Sequence, residues 1–115
     1  MILVVVAENG KRFRIECNKN TVLKFNGRKC TFLRKSCRRV YRCGKYVIKI
    51  DGGSDPVVSH QNIKEYEKWL EIKPEDRKHF AKVIGYKSSG RGWSVLIQEY
   101  VSGRKSDDYR EIDPI

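Results

Sequence analysis

Over the first fifty positions apolar and polar residues alternate in short runs broken by turn residues, the pattern of half-buried strands. Ile2 to Ala7 is apolar and rich in β-branched residues, Glu8-Asn9-Gly10-Lys11 is a tight-turn sequence, and Arg12 to Cys17 alternates strictly. These segments predict a hairpin. Thr21 to Phe25 is a further strand candidate, Asn26-Gly27 a second turn, and Cys30 to Leu33 resumes extended character. After a basic linker, Arg39 to Arg42 and Tyr46 to Ile50 flank Cys43-Gly44-Lys45 as a third hairpin, so the first half reads as an antiparallel meander.

Asp51 to Pro56 interrupts the strand pattern. From about Ser59 to Ile72 the period changes: Ile63, Tyr66, Trp69 and Leu70 recur at helical spacing with charges between them, which predicts one amphipathic helix. Lys73-Pro74-Glu75-Asp76 restarts a short turn of helix. Phe80 to Tyr86 and Trp93 to Val101 then read as strands around Ser88 to Gly92, with a polar tail beyond Gly103. The fold class expected is α+β: a twisted antiparallel sheet of five or more strands packed on one main helix, with an added N-terminal β-hairpin.

At 115 residues the chain fits one domain. No apolar run approaches the roughly 20 residues of a membrane-spanning helix, and Ile2 to Ala7 is shorter than a signal peptide and lacks its basic start. The expectation is a soluble, cytoplasmic protein with no membrane partner. Cys17, Cys30, Cys37 and Cys43 form no Cys-x-x-Cys pair and have no neighbouring His, so no metal site is expected and the thiols read as reduced; Cys30 and Cys37 could approach across a turn. His60 and His79 have no obvious nucleophile beside them and receive no catalytic role.

The net charge of +11 is unevenly placed: residues 1–50 hold fourteen Lys and Arg against two acids, a net of +12, while residues 51–115 sum to −1. A basic pole attracts nucleic acid or an acidic protein face without specifying either. Arg34, Lys35, Arg38, Arg39 and Arg42 concentrate that charge and form the candidate partner-binding surface, the competing expectation being a solvated edge that discourages aggregation. Trp93, at a strand start after Gly92, is a candidate interface anchor, whereas Trp69 and Tyr66 read as core.

Val47-Ile48-Lys49 resembles the Val-Ala-Ile-Lys strand of protein kinases, and three strands, a helix and two strands is the order of the kinase small lobe. With Gln61-Asn62, Glu65 and Trp69, then Phe80 to Tyr86 and Leu96 to Tyr100, the pattern is most similar to small phage-encoded kinase-like proteins. The resemblance implies that Lys49 neutralises nucleotide phosphates and is held by a helix glutamate. Glu65 is favoured for that partner because it stands four residues before Trp69, with Glu67 the alternative. It further implies that Gln98 is the gatekeeper and that the backbone of Glu99 and Val101 meets adenine. On this basis residues 1–103 form one small-lobe-like domain, with 1–28 a hairpin extension, 29–103 the core and 104–115 a polar tail.

Two departures shape the functional expectation. No glycine lies between Leu33 and Val40, where the family has its glycine-rich phosphate loop, so ATP is a doubtful cofactor and no other is implied. Only twelve residues follow Gly103, with nothing spaced like the His-Arg-Asp loop or the Asp-Phe-Gly metal site. The expectation is therefore a non-enzymatic protein that binds and modulates a host macromolecule, an acidic protein in preference to nucleic acid, with a homodimer also open. The rivals are the small lobe of an ATP-dependent phosphotransferase lacking its catalytic lobe, and a sequence-independent nucleic-acid binder.

Overall fold

The computed structural model describes residues 2–17, 23–35, 38–52, 60–90 and 92–101, without the side chains of Arg34 and Lys35. The polar tail and Cys37 lie outside the described residues.

Alternation decides the first sheet. β1 (Ile2–Val6) pairs antiparallel with β2 (Arg12–Cys17), where Phe13, Ile15 and Cys17 point inward and the intervening residues are exposed or half-buried. Beyond the expected hairpin, β3 (Leu23–Phe25) and the two-residue β4 (Arg28–Lys29) extend the sheet to four strands in the order β1-β2-β3-β4. The β3–β4 turn uses Asn26 and Gly27, both at positive φ, and the Asn26 side chain accepts the Arg14 N–H at 2.8 Å.

The second sheet carries β5 (Thr31–Lys35), β6 (Arg39–Cys43), β7 (Tyr46–Gly52), β8 (Val83–Ser88) and β9 (Trp93–Glu99) in the order β5-β6-β7-β9-β8, all antiparallel. Between β7 and β8 run helix α1 (Gln61–Glu71) and a 3₁₀ segment (Pro74–His79). The first sheet packs on one face of the second: Phe13, Ile15 and Phe25 meet Tyr41, Ile48, Ile50, Val95 and Ile97 in the main core. Each such side chain removed from water stabilises by about 1.5–3 kcal/mol. Helix α1 covers the other face, where Trp69, Val83 and Leu96 form a smaller cluster.

Trp93 belongs to the inter-sheet core and is 6% exposed, so it is not an interface anchor. With a period of two, Trp93, Val95 and Ile97 share the β9 face that the first sheet covers. Trp69 is buried and Tyr66 packs against its cluster, as expected, but the helix also buries Asn62 and Glu65 and leaves Leu70 49% exposed. The cause lies in the polar groups that the sheet offers it.

Candidate functional site

β7 is buried on both faces and places Lys49 toward the helix, between the inter-sheet residues Ile48 and Ile50. A cation there requires a partner, because burying an unpaired charge costs several kcal/mol. Glu65 supplies it: Lys49 Nζ donates to Glu65 Oε1 at 2.8 Å, and both residues are fully buried. Glu67 is exposed, so the helix glutamate that meets the lysine is Glu65.

A second cation shares the carboxylate. Arg38, immediately before β6 and 3% exposed, donates through Nη1 to Glu65 Oε2 at 2.6 Å and to Asn62 Oδ1 at 3.1 Å. Asn62, one helical turn before Glu65, ties the layers together. Its Nδ2 donates to the carbonyl oxygens of Lys49 and Ser94 at 3.0 and 3.1 Å, and lies 3.2 Å from Ser94 Oγ. Its own N–H, in the first turn of α1, points to Asp51 Oδ2 at 3.5 Å, where a carboxylate also complements the helix dipole. Asn62 and Glu65 thus turn toward the sheet because Lys49, Arg38 and Ser94 present polar groups to them, with Tyr66 and Trp69 packed in the neighbouring apolar cluster and Leu70 left exposed.

The expected basic surface is correspondingly divided. Arg38 is consumed by the buried network, and Arg39, 1% exposed, points the opposite way between the sheets. There Arg39 donates to the Gly52 carbonyl at 3.3 Å and approaches Cys17 Sγ at 3.8 Å, with its Nε lacking a partner. Neither forms an exposed contact surface, since adjacent strand residues enter the two buried faces. Arg42 is exposed, its guanidinium 3.7 Å from the Tyr100 ring centroid. Arg34 and Lys35 lie on β5 with side chains outside the description.

Glu99 and Val101 are not gathered with Lys49 and Glu65. Lys49 is in register with Leu96, three residues or about 10 Å along β9 from Glu99. Glu99 and Val101 instead border a hollow of about 500 Å³ with Trp69 and Arg77, and the Glu99 N–H is used by the Lys82 carbonyl at 2.8 Å. Gln98 is fully buried on the helix side, in register with Val47 and Val83, and neither its amide nitrogen nor its oxygen has a hydrogen-bond partner.

Among the described residues Cys17, Cys30 and Cys43 form no disulfide. Burial, reinforced by Cys43 and a hydrogen bond to it, pushes the Cys30 thiol up to about 12. Among the described residues no group of three or more His, Cys, Asp or Glu could hold a metal ion, and no helix is long and apolar enough to cross a membrane.

The roles of Arg38 and Asn62 escape a reading by charge and motif. Asn62 at three residues before Glu65 was the available signal, since that spacing puts both on one helical face. Comparisons with family models, with curated proteins and with solved structures find no match.

Proposed function

We propose that this chain is a non-catalytic, kinase-small-lobe-like module that binds and modulates a macromolecular partner, a host complex under the phage-type reading, through exposed basic residues. The observation that carries this is the saturation of Glu65: one oxygen is taken by Lys49 and the other by Arg38, all three buried. In a nucleotide site the lysine must offer donors to phosphate. Here its side chain is 1% exposed, which supports a structural joint between helix and sheet. Three strands, a helix and two strands in β5 to β9 are in keeping with the small-lobe resemblance.

Gln98 favours the second reading, a phosphotransferase small lobe that retains nucleotide affinity. An unsatisfied buried amide at the gatekeeper-like position is what a site awaiting a polar ligand would contain. Isothermal titration of Mg·ATP into the chain and into Lys49→Met separates the two. The binding-module reading expects no saturable heat from either protein. Saturable binding that Lys49→Met abolishes would overturn it and establish the nucleotide reading.

A further inference from the structure

Away from the helix, the two sheets part beside the Asn26-Gly27 and Gly44-Lys45 turns and leave a cleft of about 600 Å³. Arg28 and Lys29 of β4 line it together with Arg42 and Lys45, which flank the Cys43-Gly44 turn, and with Phe25 and Tyr46. All four cations are exposed, and among the described residues no carboxylate lines the cleft. Arg28 is in register with Phe25, so it shares the face that the first sheet turns toward the second. A fifth cation, Lys11, stands at the Tyr46 side and donates to the Tyr46 hydroxyl at 3.3 Å. Glu16, on the first sheet, pairs with Arg14 at 3.0 Å.

The rings also bear on what the cleft can take. Lys11 and Lys45 lie over Tyr46 at 5.7 and 5.5 Å, and Arg42 covers Tyr100 at 3.7 Å. Single-stranded nucleic acid gains much of its affinity by stacking bases on open aromatic faces, and here those faces are covered by cations. A guanidinium held over a ring, with Nε donating to the Gly44 carbonyl at 3.2 Å, instead suits fork-like bonding to a carboxylate.

We infer that this cleft binds an acidic peptide segment of a partner protein, its carboxylates on Arg28, Lys29, Arg42 and Lys45. The inference rests on the binding-module reading and gives it a location and a ligand class. It also moves the contact surface from the Arg38 and Arg39 region to the opposite end of β6.

Fluorescence anisotropy at low salt with a labelled Glu- and Asp-rich peptide, and with a labelled oligodeoxythymidine of matched length, provides the test. Arg28→Glu/Lys45→Glu reverses the cleft, and Lys64→Glu/Lys68→Glu makes the same charge change on the exposed face of α1. Urea midpoints check that both variants fold. The expected result is peptide binding that the cleft variant weakens roughly tenfold and the helix variant by less than about twofold, as two reversed exposed charges allow. Equal weakening by both variants, or none by the cleft variant, would overturn the cleft while leaving the binding-module reading intact. Tighter cleft-dependent binding of the oligonucleotide would overturn the peptide assignment. No binding of either polyanion would remove the cleft and the broader reading together.

Discussion

Replacing Glu65 by Leu leaves Lys49 and Arg38 buried without the carboxylate between them. Removing one partner of a buried ion pair costs about 3–5 kcal/mol, and with two cations deprived the upper part of that range applies. A chain of 115 residues has roughly 6–17 kcal/mol of stability in total, so the loss is a large share of it. With an m-value near 2 kcal/mol/M, the urea midpoint should fall by roughly 2 M. Lys49→Met should cost less, about 1–3 kcal/mol, because Glu65 keeps Arg38 at 2.6 Å while one charge-assisted hydrogen bond is lost. The double variant should cost less than the sum of the two, since both act on one network. The assay is urea denaturation followed by tryptophan fluorescence. A loss below about 1 kcal/mol for Glu65→Leu, or equal costs for the two single variants, would refute a carboxylate shared by two buried cations.

Three further outcomes follow from particular residues. Gly52→Ala should destabilise by more than about 2 kcal/mol in thermal unfolding, because φ is +82° and the added Cβ would land on the Gly92 carbonyl oxygen; Gly44→Ala, with positive φ but open space, should cost only about 1 kcal/mol. Gln98→Leu should raise stability by about 1 kcal/mol by removing a buried amide with no partner, and a loss of stability would show that the amide is satisfied. The Cys30 thiol remains protonated in the folded chain to about pH 12, whereas the unfolded thiol ionises near its ordinary value of 9.0. Its contribution is therefore complete below pH 9 and is lost as pH rises from 9 to 12, by up to about 1.4 kcal/mol per pH unit. Urea midpoints at pH 8 and pH 10 should fall further for the native chain than for Cys30→Ala, and parallel falls would contradict the shift.

Strand and turn positions were legible because period-two alternation and Asn-Gly or Gly-Lys turns are local signals, and β1, β2, β6 and β7 follow them closely. Lys49 and Glu65 were legible through motif and spacing, and they meet. The rest depended on tertiary context. Arg38 and Arg39 read as a basic surface because sequence shows charge without direction. Two adjacent positions beside a doubly covered strand send one guanidinium to the helix and the other between the sheets. Trp69 was legible as core, but the burial of Asn62 and Glu65 was hidden from apolar periodicity, which presumes an apolar partner face, whereas this sheet presents Lys49, Ser94 and Gln98 to its helix. The cleft draws Arg28 and Lys45 from turns seventeen positions apart, and only the parting of the two sheets brings them to one place.

Crystallising the chain with millimolar Mg·ATP tests the structural role of the Lys49, Glu65 and Arg38 joint most directly. The predicted result is Glu65 still bonded to both cations, as at 2.8 and 2.6 Å here, with no phosphate at Lys49. A nucleotide phosphate on Lys49 Nζ, with Arg38 withdrawn from Glu65, would contradict it.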